Sequence, residues 1–399
     1  MTELRGYRVL IASCGAHLIQ DGLVALQYVL LPILAQAFGL NYTQVGMLRA
    51  VSTSAMTLLE IPAGVLSERF GEIRLLIFGL VCAGCGYLGV AFADNFPLIV
   101  IGFLIAGCGA AFQHSLASAL IAKSFDDTSR RRSLGIYNAF GDVGKLAFTG
   151  LFSVAIGIGI GWNLVVTALS LVTLAFAGLL LFLLRRQTST GASTHAADQP
   201  GASDSKWGIK HPCRFSWLCL TIFVDTLAQS VFLTFVAFLL LEKGGSEALA
   251  SLAVVLALCG GMVGKFVSGF LAVRYGDRSA FRILQLLTVF GIVVMVMLPL
   301  MYVLLLLPLV GIAVQGSSTV TYGALSDFVD RRRQSRGYAI MYSLSGLSAV
   351  FGPVVFGWLA DLYSVAVALA ILAGLTSLTL VTGKVLRKSV PLADFGAAD

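Results

Sequence analysis

Gly64-Val65-Leu66-Ser67-Glu68-Arg69-Phe70-Gly71-Glu72-Ile73-Arg74 has a second copy roughly 205 residues on, Gly269-Phe270-Leu271-Ala272-Val273-Arg274-Tyr275-Gly276-Asp277-Arg278-Ser279. Each copy is a short charged gap between long apolar runs. The repeat extends outward from both. Asp126 to Arg132, ending in three arginines, answers Asp327 to Arg333, which ends the same way. Tyr137 and Gly141 answer Tyr342 and Gly346, and Asp21 answers Asp225.

Apolar runs of spanning length fall at 9–34, 43–65, 74–93, 96–122, 134–157 and 162–184, then again at 215–241, 247–272, 281–301, 303–325, 337–359 and 363–384. A helix needs roughly 20 apolar residues to cross a hydrocarbon core of about 30 Å, and a barrel strand only about 9–11. None of the runs alternates with period two, so the pattern predicts twelve membrane helices, six and six, and no strands. Hydrophobic residues make up 58% of the chain and charged ones 12%. Soluble domains sit near 45–50% and about 25%, so both values point to lipid as the solvent. Residues 1–184 and 214–399 read as two six-helix bundles. Residues 185–213, rich in Gly, Ser and Thr, read as a flexible linker that cannot bury a core.

The net charge of +7 does not imply nucleic acid as a partner, because the basic residues cluster in alternate gaps. Arg8, Arg69, Arg74, Lys123, Arg130, Arg185, Arg186, Arg274, Arg278 and Arg387 fall on one side, and the other side has little beyond Lys243. The positive-inside rule places both termini and the linker in the cytoplasm. Arg5 and Arg8 precede an apolar stretch too long for a signal peptide, so it reads as the first span. Cys82 and Cys85 form a CxxC within an apolar run, with no second pair, and read as packing residues rather than metal or redox ligands. There is no Walker loop, no dinucleotide fingerprint after a strand and no His/Cys cluster at metal spacing. An enzyme is therefore not expected, nor a cofactor or a bound metal.

The stretch 64–74 resembles the signature loop of the major facilitator superfamily, Gly-x-Leu-x-Asp-Arg-x-Gly-Arg-Arg, with Glu68 for the usual Asp and Glu72 for a usual basic residue. Within that superfamily the N-terminal half is similar to the fosmidomycin-resistance branch of drug exporters. The likeness rests on His17-Leu18-x-x-Asp21, on Tyr42-Thr43-Gln44-Val45-Gly46-Met47 and on Phe112-Gln113-His114. The resemblance implies an all-α major facilitator fold with two pseudo-symmetric halves. It further implies a multi-pass monomer in a bacterial-type inner membrane that carries a small molecule by alternating access. The proton gradient, not ATP, would be the energy source. Export by proton antiport is the leading expectation. Antiporters often carry a Gly-Pro-Gly-rich motif in the fifth span. Here that region reads Gly141-Asp142-Val143-Gly144-Lys145, without proline, so proton-driven uptake of a nutrient or metal chelate stays open. A non-transporting sensor on the same fold is the more remote alternative.

Ionisable groups inside a bilayer cost about 2.5–3.5 kcal/mol each on insertion scales and mark function or pairing. His17 and Asp21, at i and i+4, share a helical face and suit a proton relay; Asp225 and Asp142 join them as proton-coupling candidates. Asp142 and Lys145, at i and i+3, either neutralise one another or leave Lys145 to bind an anion. Two lysines, Lys145 and Lys265, and two histidines, His17 and His114, near a cavity favour an anionic or zwitterionic substrate. Gln113, Tyr137, Asn138, Gln229, Gln315 and Lys265 complete the candidate substrate set, although Lys265 is equally placed to snorkel to the surface. Arg49 and Gln27 are further polar groups nearer the outer side. Glu60, Gly64, Glu68, Arg69, Gly71, Arg74, Gly269, Arg274 and Asp277 read as gating residues. Gly64 and Gly71 would allow close packing and a tight turn, and Glu68 and Arg69 a charged latch.

Overall fold

The computed structural model describes residues 2–125, 127–184, 208–330 and 334–386. The sequence readings at Asp126, at Arg185 and Arg186 with the linker as far as 207, at Arg331 to Arg333, and at Arg387 and Lys388 lie outside these residues. The first half comprises α1 (Thr2–Phe38), α2 (Tyr42–Phe70), α3 (Glu72–Ala91), α4 (Phe96–Ala110), α5 (His114–Ser124), α6 (Asp127–Gly157) and α7 (Trp162–Leu184). The second comprises α8 (Pro212–Glu242), α9 (Glu247–Tyr275), α10 (Asp277–Met297), α11 (Leu300–Gly323), α12 (Gln334–Leu362), α13 (Val365–Ser377) and α14 (Thr379–Thr382). These make 12 helical spans, with α4 and α5 together forming the fourth and α13 opening the last.

Local chemistry sets the helix ends. Asn41 caps α2: its side chain accepts from the Gln44 backbone N–H, and Gln44 returns a bond to the Asn41 N–H. Between α2 and α3 the chain turns on Gly71 at φ +83°, and between α9 and α10 on Gly276 at φ +79°. A side chain at either position would be strained, which fits a glycine in both copies of the repeated stretch.

The described residues divide into two compact units. One holds α1–α7 with the first turns of α9, and the other holds α8, the rest of α9 and the helices that follow. Each unit repeats the same pairings. In the first, α1 packs along α6, and α3 packs against α4 and α7; in the second, α8 packs along α12, and α10 against α11 and α13. In lipid, helices gain no hydrophobic drive toward each other, so small residues carry close approach. Gly144 of α6 lies directly on the Leu18 carbonyl of α1, and Gly141 faces the His17 ring and the Asp21 carboxylate.

The structure departs from the sequence reading in three places. First, the expected linker 185–213 ends early. Lys210 N–H donates to Phe328 O at 3.0 Å and Asp330 N–H to Gly208 O at 2.9 Å, and α8 starts at Pro212. Second, the helix that carries the fifth span, Arg132–Gly157, extends back to Asp127, so Arg130 and Arg132 lie on a helix and not in a loop. Third, the run 96–122 is not one helix. It breaks at 111–113, where Phe112 N–H and Gln113 N–H reach back only three residues, to Gly109 O and Ala110 O at 3.2 Å each.

Candidate proton and substrate site

In the first unit, Asp21 of α1 is buried and contacted by basic side chains from three helices. Its Oδ2 lies 3.1 Å from Lys145 Nζ of α6 and 3.4 Å from His17 Nε2 of α1, and its Oδ1 lies 3.6 Å from His114 Nε2 of α5. Lys145 Nζ also lies 3.1 Å from Asp142 Oδ1. The lysine is thus shared by two carboxylates. His17 Nδ1–H donates to the Tyr137 carbonyl at 2.8 Å, and the two rings stack with centroids 4.0 Å apart. Gln113 Nε2–H donates to the Tyr137 hydroxyl at 3.3 Å. The cluster is not sealed, because His114 is half-exposed and Lys145 only part-buried.

The geometry fixes the tautomer of a neutral His17. With Nδ1–H committed to a carbonyl, Nε2 carries a hydrogen only in the imidazolium form. Nε2 of a neutral His17 is then an acceptor facing Asp21 Oδ2, and a single proton added between them is available to both. His17, Asp21 and His114 also present ligand atoms within 4.8 Å of one another. Two imidazoles and a carboxylate suit a divalent transition metal, but the Lys145 ammonium on the same carboxylate opposes a cation there.

In the second unit, Asp225 of α8 has a different environment. Its Oδ1 accepts from Ser317 Oγ at 2.7 Å and from Gln285 Nε2, and its Oδ2 accepts from Gln229 Nε2 at 3.0 Å. All three donors are neutral, and no ion pair to Asp225 is formed among the described residues. The Gln285 Oε1 is buried without a partner, so a protonated Asp225 would find an acceptor after an amide flip. Asp225→Asn is therefore expected to fold with a near-wild-type unfolding midpoint and to lose less than about tenfold in transport, since no cation is stranded. A thermal melt and a transport assay on the purified variant check this.

The Major Facilitator Superfamily family model matches residues 14–212 and 218–394. The chain belongs to this superfamily. Tetracycline resistance protein, class H, of Pasteurella multocida is 24% identical over 329 residues, 81% of each chain. Multidrug resistance protein MdtL of Shewanella sp. (strain ANA-3) is 22% identical over 393 residues, 94% of this chain and 95% of that one. Among solved structures, a bacterial homolog to the human lysosomal transporter Spinster, inward-facing and unoccupied, superposes with a TM-score of 0.75 at 14% identity, over 97% of this chain and 99% of that one. This is a membrane-spanning transporter and not an enzyme.

The repeated stretch 64–74 is the end of α2, the Gly71 turn and the start of α3 rather than a loop, and it makes a bond that sequence reasoning missed. Glu72, which replaces a usual basic residue, pairs with Lys123 at the end of α5. Its signal was that substitution itself. Arg69 lies over the Phe70 ring at 5.5 Å, and Arg74 and Glu68 are exposed. The close packing expected of Gly64 is not found: a Cβ there, as at Gly269, would meet open space, and the turn belongs to Gly71. Arg274 lies over the Tyr275 ring at 5.5 Å, and Asp277 opens α10. Glu60 is half-buried in the C-terminal half of α2.

Of the other substrate candidates, Asn138 is exposed, unlike the buried Tyr137 before it. Gln315 is wedged against Gly261 with its amide nitrogen unpartnered. Lys265 is half-buried on α9. Sequence reasoning also missed Gln285. It is a lone amide in an apolar span, which is the kind of residue that lipid does not tolerate without a task.

Proposed function

We propose that this chain is a proton-coupled secondary transporter that exports a small organic anion or drug-like compound by proton antiport. It would work by alternating access in an inner membrane, with both termini cytoplasmic. The observation that supports proton coupling is the charge count around Asp21. Among the described residues, two carboxylates, Asp21 and Asp142, face one ammonium, Lys145, and Asp21 also faces two imidazoles. One added proton makes the cluster neutral, and a low-dielectric setting favours neutrality strongly. Where that proton resides decides whether Asp21 holds Lys145. With Asp21 ionised, α1, α5 and α6 are drawn together through it; with Asp21 protonated, Lys145 is left to Asp142 alone. Breaking one partner of a buried pair is worth about 3–5 kcal/mol, enough to bias two conformations decisively. The export direction rests on the resistance relatives.

The test is accumulation of a labelled panel in an efflux-deficient bacterium expressing the protein, each compound with and without an uncoupler. The panel spans phosphonates, carboxylates, zwitterions and lipophilic cations. Lowered accumulation that the uncoupler abolishes is the expected result. Raised accumulation with the same dependence makes the protein an uptake symporter, and indifference to the uncoupler removes proton coupling altogether.

A further inference from the structure

Arg49 on α2 lies in a membrane span and is 7% exposed. Its Nη1 donates to Gln27 Oε1 at 2.7 Å and its Nη2 to the Tyr28 hydroxyl at 2.6 Å, with the guanidinium 4.3 Å from the Tyr28 ring centre. Gln27 is in turn held by its amide nitrogen on the Leu48 carbonyl at 3.1 Å. Every one of these partners is neutral. Among the described residues, no carboxylate reaches Arg49 within ion-pair distance. Its Nε is buried with no acceptor at all.

A guanidinium does not deprotonate in a protein, so this charge cannot be shed as a lysine's can. Tying α1 to α2 through Gln27 and Tyr28 does not need it, because a neutral amide would make comparable bonds without the cost of an unpaired charge in lipid. What a fixed cation with an unused N–H offers is a fork for a planar or tetrahedral oxyanion. The Tyr28 hydroxyl accepts from Arg49 and keeps its own hydrogen for a further acceptor. Lys145, by contrast, is already shared by two carboxylates. Tyr28 follows Asp21 by seven residues, hence on nearly the same face of α1 and about 10 Å along it at 1.5 Å per residue.

We infer that Arg49, with Tyr28 and Gln27, is the oxyanion-recognition site of this transporter and takes the carboxylate or phosphonate of a small organic anion. The inference rests on the proposed transport of an anion and supplies its binding group. It places the substrate's charge two helical turns from the proton-carrying carboxylate, near enough for each to sense the other and far enough for both to be occupied.

The test is equilibrium binding to protein purified in lipid nanodiscs, with benzoate and phenylphosphonate as probes and benzamide as the neutral isostere. Saturable binding of both anions and none of benzamide is expected. Arg49→Gln should weaken the anions by about tenfold or more, and Arg49→Lys, a point charge without the fork, by an intermediate factor. Tyr28→Phe keeps the cation and removes one donor, and should weaken them by about threefold. If Arg49→Gln does not fold, Arg49→Lys and Tyr28→Phe decide the matter. Anion binding unchanged in the variants, or equal binding of benzamide, overturns the inference, and a drop in unfolding midpoint with unchanged affinity marks Arg49 as a helix tie only. The assay needs no gradient, so its result stands apart from the uncoupler test. Uncoupler-sensitive transport with Arg49-independent binding sinks only this inference, and Arg49-dependent binding without coupled transport sinks only the proposed function.

Discussion

Asp21→Asn should lower gradient-driven transport to about one hundredth of wild type or less. That factor corresponds to about 2.8 kcal/mol, below the range for removing one partner of a buried ion pair. The amide keeps the shape and cannot take up a proton. Lys145 then has Asp142 as its only carboxylate in both halves of the cycle, and His17 loses the partner with which it shares a hydrogen. The variant should still exchange substrate for substrate across a liposome membrane without a gradient, because exchange does not require the proton to move. The measurement compares uptake into proteoliposomes under an imposed pH difference with counterflow in its absence, using the compound that the accumulation panel identifies. A variant that keeps gradient-driven transport at the wild-type rate removes Asp21 from the coupling role. The contrast with the mild loss expected at Asp225 is part of the prediction, since its three donors are neutral.

Gly144→Ala should be the most damaging conservative change in the first unit. An added Cβ would collide with the Leu18 carbonyl oxygen and press on its carbonyl carbon and Cα. These are backbone atoms inside a helix and cannot swing aside as a side chain would. Relief requires α1 and α6 to separate along their whole shared face, which costs about 3 kcal/mol or more and pulls Lys145 away from Asp21. The control is Gly150→Ala on the same helix, where nothing stands within 4 Å of the new atom. Size-exclusion profiles and unfolding midpoints of the two purified variants should differ sharply. If Gly144→Ala melts with wild type, α1 and α6 do not pack as described.

Much of this was legible in the chain. The apolar runs and the repeated charged stretch specify twelve spans in two sets, because span length is imposed by the bilayer and not by subtle packing. Half of the site was legible too: His17 with Asp21, and Asp142 with Lys145, are each one turn apart on a helix. That the two pairs are one cluster was not legible. Their union depends on how closely α1 meets α6, and that distance is set by glycines whose partners lie far away in sequence. The break at 111–113 was equally hidden, because Gly109-Ala110-Ala111-Phe112 is as apolar as the helix before it and contains no proline. Gln285 reaches Asp225 across 60 residues, beyond any local spacing rule.

The break in the fourth span has a mechanical consequence. Gln113 and His114 stand at the start of α5, just past a turn that lacks the regular ladder of helical bonds. Residues 114–124 therefore pivot against 96–110 at a lower energetic cost than an unbroken helix would allow. Any such pivot changes the 3.6 Å separation of His114 from Asp21, and with it the work of adding a proton there. By thermodynamic reciprocity, adding the proton exerts a torque on the segment. The other end of that segment carries Lys123, bound to Glu72 in the first turn of α3. One short helix thus touches the buried charge cluster with its first residue and the start of α3 with its last turn.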